Sequence, residues 1–294
     1  MNKRYLDLEV TEGTYVPPVT RDYPEEEPYV GLYQPVYDRE FMPVDANYPY
    51  FDDSFKNRWR MYWAYIFILR LALGTILRIK YGLRWQIEGE KKWHRSSCPI
   101  RRWLKKFDLS RGAITVANHC YRHDAASVLN ALHADYHTRI PMFAPNFRTK
   151  DQYFLLRVGG IPIPAPEEGL SAMKAFNAAF DQYNEKGYWF HIFPEAKRWD
   201  WYKPLRPFQK GAFTMAYKYN KPIIPCAVTY RPRTGLWRLF GPKDEPLTQV
   251  IIGEPIYPDT SKPRAQETER LLNLTHETIC RLAGIKHNSW PSSL

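Results

Sequence analysis

Clustered thiols are missing from this chain. Its four cysteines, Cys98, Cys120, Cys226 and Cys280, are scattered among 294 residues, and no two form a Cys-x-x-Cys pair. That argues against a disulfide scaffold and a thiolate zinc site, and it suits a reducing compartment. The first 30 residues hold no apolar stretch behind a basic start, so no secretory signal peptide is expected. No internal repeat is visible. Carboxylates are absent from residues 54–80.

What is present is ordinary globular material. Hydrophobic residues make up 44% and charged residues 25%, and a chain of this length can bury a real core. The net charge of +11 is unevenly placed: residues 1–55 carry −8 and the remaining 239 carry +19. A body that basic implies an anionic partner, whether nucleic acid, an anionic membrane or a phosphorylated substrate.

Residues 1–53, rich in Pro, Tyr and carboxylates, show no apolar period and read as an extended or disordered tail, laid partly over the body by its tyrosines. Residues 54–80 read as a membrane-associating helix. Met61–Leu69 is an unbroken apolar run, Arg70 interrupts it, and Leu71–Leu77 continues it. At 100° per residue, Lys56, Arg60, Arg70 and Arg78 share a narrow sector of an otherwise apolar helix. A cationic stripe on a greasy helix suits one lying in the bilayer interface. A spanning helix is the rival, but Arg70 at its centre would cost at least about 2.5 kcal/mol. A buried core helix is the third reading.

From residue 81 to 294 the chain reads as one α/β domain, a sheet covered by helices. Strands are expected at Leu83–Glu88, Ala113–Ala117, Arg139–Phe143, Ile161–Pro164, Tyr188–Phe193, Ile223–Tyr230 and Thr248–Ile252, and helices at Ala125–Ala134, Gly169–Asn184, Phe208–Asn220 and Glu267–Ala283.

Two segments carry chemistry. In AITVANHCYRHDAASVL a strand ends at Asn118, His119 follows at the turn, and Asp124 opens a helix. On one regular helix five residues would part the two side chains by about 140°. They meet only if His119 lies before the helix and Asp124 in its first turn. A carboxylate on one imidazole nitrogen fixes the tautomer and frees the other nitrogen to take a proton from a hydroxyl. Standing alone, the spacing is more often that of a hydrogen-bonded core histidine. His119 and His123 are also four apart, but Cys120 stands where a zinc-protease helix needs Glu, so no metal is expected. Cys120 has no nucleophile motif around it. His133 and His137 read as surface or core positions.

In GYWFHIFPEAKRWDWYKPLRPFQKGAF a strand runs into Pro194 and Glu195, then Arg198 and a Trp/Tyr-rich loop with Lys203, Arg206 and Lys210. Loops at strand C-termini are where α/β sheets bind ligands. Alone, this one reads as a solvated basic loop.

Together the segments say more. Asn-His-x-x-x-x-Asp after one strand, and Phe-Pro-Glu-x-x-Arg about 75 residues on, resemble the glycerolipid acyltransferase family, which contains the 1-acylglycerol-3-phosphate acyltransferases. RVGGIPI, holding Gly160, is similar to the family's middle block, and KPIIPC, holding Pro225, to its fourth. The resemblance spans roughly residues 60–255. It implies an acyl transfer in which His119 is the general base on a lysophospholipid hydroxyl and Asp124 orients it. The donor it implies is an acyl thioester of coenzyme A or acyl carrier protein, with no metal, bound cofactor or nucleic acid. It also implies that Glu195 and Arg198 bind the acceptor, with Arg148 or Lys150 adding a second positive charge. Asn118 would shape the turn, and nearby backbone groups would stabilise the oxyanion. The enzyme would be membrane-bound, peripheral or monotopic, with its catalytic domain on the cytoplasmic side. One departure stands out. The family's third block has Gly-Thr where this chain has Ala196-Lys197, so the acceptor is open: lysophosphatidic acid, another lysolipid or an amino-acid lipid. A rival from another class is a non-catalytic basic membrane-binding protein, and a third is a nucleic-acid binder, which no helix-turn-helix, zinc or RNA-binding signature supports.

Overall fold

The computed structural model describes residues 7–18, 41–149, 151–241 and 245–293. Lys150 and much of the 1–53 segment lie outside the described residues. In chain order the elements are β1 (Glu9–Val10), α1 (Phe55–Trp63), a π-helical stretch (Ala64–Leu73), α2 (Gly74–Ile79), β2 (Arg84–Ile87), α3 (Cys98–Leu104), β3 (Ile114–Ala117), α4 (Asp124–Ala131) and β4 (Thr138–Phe143). They continue with α5 (Gln152–Arg157), β5 (Gly160–Ile163), α6 (Gly169–Glu185), β6 (Trp189–Ile192), α7 (Gly211–Tyr219), β7 (Ile223–Arg231), β8 (Leu247–Ile252), α8 (Arg264–Leu282) and β9 (Ile285–His287).

Seven strands form one sheet in the order β2-β8-β7-β3-β6-β4-β5. The five from β7 to β5 are mutually parallel, and β8 pairs antiparallel with β7 and parallel with β2. Every residue of β3 is buried, as are eight of the nine in β7. Strands buried on both faces need cover on both sides. On one face Ala113, Ala117, Ile224 and Val228 pack with the helix Phe55–Ile79, α3 and α4. On the other, Ile114, Val116, Ile223 and Ala227 pack with α6, α7 and α8. The alternation of residues between the two cores is the two-residue period of a strand. All seven expected strands and all four expected helices are present. The sequence reading missed α3 and α5, which are too short to show a 3.6-residue period.

Parts of the N-terminal segment lie on this body. Glu9–Val10 pairs antiparallel with β9. Val44 and Tyr50 are buried in the second core, where the Tyr50 hydroxyl donates to the Val44 carbonyl at 2.9 Å.

The helix Phe55–Ile79 starts where Ser54 caps it, accepting from the Asn57 amide. One face docks on the domain through Met61, Ala64, Tyr65, Leu69, Gly74 and Leu77. The Tyr65 hydroxyl donates to Val158 O at 2.8 Å, and Asn130 of α4 reaches Leu69 O at 3.1 Å. A Cβ at Gly74 would stand 2.6 Å from Asn130 Oδ1, so a larger residue there would push the Asn130 side chain aside. The opposite face is a row of exposed large apolar side chains: Trp59, Phe67, Ile68, Leu71, Ile76 and Ile79.

Arg70 does not join the cationic stripe that a 100° period drew. Through Ala64–Leu73 the hydrogen bonding is π-type, i to i+5, so each residue turns through less than 100°. Arg70 swings toward the domain, half-buried, and its guanidinium donates to the carbonyls of Ala134 at 2.7 Å and His133 at 3.3 Å. These carbonyls lie just past the C-terminus of α4, where a cation is favourable. Replacing Arg70 with Met should therefore lower unfolding free energy by about 1–3 kcal/mol in denaturant titration. An unchanged midpoint would place Arg70 outside the fold's energetics.

Candidate active site

β3 and β6 are parallel neighbours with Val116 opposite Ile192. Their C-terminal loops, 75 residues apart in sequence, therefore leave the sheet side by side. Asn118 holds the first loop to the sheet. Its side-chain oxygen accepts from Val228 N at 2.7 Å, and its amide donates to Val228 O at 3.0 Å. The side chain thus extends the β3–β7 ladder by one step and fixes the start of the turn.

His119 then stands before α4 and Asp124 at its first residue, as the junction argument requires. His119 Nδ1 lies 3.2 Å from Asp124 Oδ2. The same oxygen accepts the amides of Cys120 at 2.5 Å and Tyr121 at 2.6 Å. Burial pushes the Asp124 carboxyl up, while the two amides and Arg198 favour the anion. The oxygen that takes two amide protons this closely is an acceptor with no proton of its own, so Nδ1 carries the imidazole proton. Burial first, and Arg198 second, lower the His119 imidazole to about 3. It is neutral at physiological pH, and its Nε2 lone pair is ready to accept a proton. The ring stacks on Phe193 at 4.2 Å, which fixes its plane, and the His119 side chain keeps 23% of its surface exposed.

Glu195 was expected at the acceptor. It is enclosed instead, with 2% of its side chain exposed. One oxygen accepts the His119 amide at 2.6 Å; the other takes Arg206 N at 3.2 Å and Arg206 Nε at 3.0 Å. Glu195 therefore positions the His119 turn from beneath. Two more bonds clasp the loops together, Trp199 N to His119 O at 3.3 Å and Trp201 N to Cys120 O at 2.7 Å. The amides of His119, Cys120 and Tyr121 are all consumed by these carboxylates, so the expected backbone oxyanion donors are not found in this turn.

Arg198 is the cation beside the imidazole. Its Nε pairs with Asp200 Oδ1 at 2.9 Å, and 21% of its side chain is exposed. Arg148 is exposed at the end of the 3-10 turn Ala144–Arg148 that follows β4. The other motif residues are structural. Pro194 O accepts Gln209 N at 2.8 Å, and Pro225 of β7 lies opposite Val116. Gly160 opens β5, where a Cβ would stand 2.7 Å from Leu155 O. Cys120 is buried and its thiol is held in the neutral form by burial. His123 packs on Tyr81 and Tyr121. Among the described residues no three His, Cys, Asp or Glu side chains converge as metal ligands. Arg206 and Asp200 were not recognised as site residues from sequence, because charged residues in a basic aromatic loop look solvated.

Residues 86–229 match the family model described as Acyltransferase. That stretch runs from β2 into β7 and holds His119, Asp124, Glu195 and Arg198, so the chain is similar to that family over just under half of its length. No curated protein sequence matches it. Among solved structures it is similar to the 1-acyl-sn-glycerophosphate (LPA) acyltransferase PlsC from Thermotoga maritima, at 17% identity and a TM-score of 0.46, with 78% of this chain and 88% of that one covered.

Ala196 occupies the position of the family's glycine, and its φ is +60°. That left-handed conformation costs an L-residue roughly 1–2 kcal/mol. Ala196 is itself exposed. Ala196→Gly should raise unfolding free energy by about 0.5–1 kcal/mol, after glycine's added unfolded-state entropy is subtracted. Denaturant titration checks this, and a loss of stability would contradict the strain.

Proposed function

We propose that this enzyme transfers a fatty acyl group from an acyl thioester of coenzyme A or acyl carrier protein to the hydroxyl of a lysophospholipid, with 1-acylglycerol-3-phosphate as the default acceptor. The observation that carries the reading is the neutral His119 imidazole held on Asp124 and facing outward beside Arg198. His119 Nε2 takes the acceptor's hydroxyl proton as the oxygen attacks the thioester carbonyl. Asp124 stabilises the imidazolium that forms. The tetrahedral intermediate collapses, the carbon–sulfur bond breaks, and the proton on His119 goes to the departing thiolate. The new ester and the free thiol balance the reaction, and no bound cofactor is required. Arg198 stands where it favours a phosphate on the acceptor and negative charge developing near His119. Its pairing with Asp200 favours a second reading for the acceptor alone, a lysolipid or amino-acid lipid with less negative charge.

The exposed apolar face of Phe55–Ile79 supports membrane attachment; that the catalytic domain lies on the cytoplasmic side is part of the same proposal. A helix packed along the domain by Met61, Tyr65 and Leu69 inserts only its outer face, into one leaflet.

His119→Ala should lower kcat by about 10²–10⁴ with the fold retained by circular dichroism. Asp124→Asn keeps an oxygen for the two amides but loses the tautomer control, so kcat should also fall severely. Arg198→Ala should cost about 2–4 kcal/mol in kcat/KM for a phosphate acceptor, and Arg198→Lys should restore only part of it. A folded His119→Ala enzyme with near-normal thioester-dependent acylation would remove the base from the mechanism.

A further inference from the structure

Between β7 and β8 the chain makes a 3-10 turn, Gly235–Leu239, whose side chains are unusual for a surface loop. Leu236 is 74% exposed, Leu239 77% and the following Phe240 48%. Three large apolar side chains presented within five residues are not a satisfied surface.

The base of the turn is firmly held. Arg233, almost fully buried, donates from Nε to Glu245 O and from Nη1 to Lys80 O and Trp237 O, each at 2.9 Å. Arg231 Nη2 reaches Gly82 O at 3.2 Å. The turn is thereby fastened to residues 80–82, directly after the helix whose exposed row ends at Ile76 and Ile79. It also projects from the C-terminal end of β7, which runs parallel to β3, so it shares the sheet edge that carries His119.

Beneath the apolar tip lies a tier of arginines. Arg231 and Arg95 lie over the Trp237 ring at 4.7 and 5.3 Å, and Arg84 lies over Trp93 at 4.4 Å. Among the described residues none of Arg84, Arg95, Arg231, Arg233 and Arg238 is ion-paired with a carboxylate. The nearby Glu245 side chain accepts from Tyr121 instead. Arg231 Nε and Arg233 Nη2 are buried without a hydrogen-bond partner. Mutual repulsion shows in Arg231, which burial and then its neighbours Arg84, Arg95 and Arg233 lower to about 10. An apolar tip over uncompensated guanidiniums matches acyl chains below a layer of phosphates.

We propose that the Gly235–Leu239 turn, with Phe240, is a second bilayer contact: Leu236, Leu239 and Phe240 enter the acyl layer of an anionic leaflet while Arg95 and Arg238, the exposed arginines of the tier, meet its phosphates. This rests on the membrane attachment proposed above for Phe55–Ile79. With two contacts at one sheet edge, the leaflet is held where the lipid acceptor must reach His119.

The test places an environment-sensitive fluorophore on a cysteine introduced by Leu239→Cys or, separately, Leu71→Cys, with Cys98 and Cys280 replaced by Ala in the full chain. On vesicles containing phosphatidylglycerol both labels should brighten and shift to the blue. On phosphatidylcholine alone the response at 239 should weaken. The double variant Leu236→Asp/Leu239→Asp should lose on the order of tenfold or more in affinity for the anionic vesicles. It should keep its activity on detergent-dispersed substrate. A responsive label at 71 with a silent label at 239 would overturn the second contact and leave the helix reading intact, assigning the turn to a protein partner or to water. Silence at both positions would overturn the membrane reading and this proposal with it.

Discussion

Everything at the site depends on one carboxylate buried between two loops. Glu195 holds the His119 amide with one oxygen and Arg206 with the other. Both side chains of the ion pair are 2% exposed. Such a pair is no great source of net stability, but removing one partner leaves a buried charge and costs about 3–5 kcal/mol. The constraint is therefore geometric: the β6 loop cannot move without dragging the β3 loop. Asp124 repeats the device one turn away, where a single oxygen gathers His119 Nδ1 and two amides. Between the two carboxylates the imidazole is fixed at its backbone by one and at its ring by the other. A base that needs no rearrangement before accepting a proton is what positioned acid–base catalysis requires.

The same edge of the sheet organises the rest of the molecule. Parallel strands deliver the His119 turn, the Glu195 loop and the end of β7 to one side. The helix Phe55–Ile79 finishes there too, fastened by Arg233 to Lys80. Its inner face is committed to the domain by Tyr65 and Arg70, so its apolar surplus can only face outward. The basic charge of the body divides accordingly. Arg70 and Arg206 are internal fasteners, while the arginines around Trp237 carry charge that no carboxylate in the described chain offsets.

Much of this was legible in the sequence, for physical reasons. β3 and β7, buried on both faces, stand out as short apolar runs, and β2 keeps a buried residue at every second position. The His119–Asp124 pair was legible through the resemblance of its block to the acyltransferase family; the spacing alone said only that the two side chains could meet across a strand-to-helix junction. What escaped was orientation. Glu195 looks the same in sequence whether it points out to a ligand or in to Arg206. Arg206 and Asp200 sit in a loop crowded with Trp, Tyr and Lys, and nothing local marks them as buried. Arg70 was misplaced because a ten-residue π stretch breaks the 100° period on which the stripe was drawn. Leu236, Trp237, Leu239 and Phe240 are apolar residues around a single Arg238, and only the exposure of Leu236, Leu239 and Phe240 distinguishes the segment from core.

The central claim is that this fold moves an acyl group from a thioester to a lysolipid hydroxyl. Mass spectrometry of the purified wild-type protein, incubated with acyl-coenzyme A or acyl carrier protein donors and a panel of lysolipids on anionic vesicles, tests it most directly. The account predicts a lysolipid converted to its acyl ester with one thiol released per ester formed, and preference for an acceptor bearing a phosphate. Folded protein that acylates no lysolipid with any donor in the panel would contradict it.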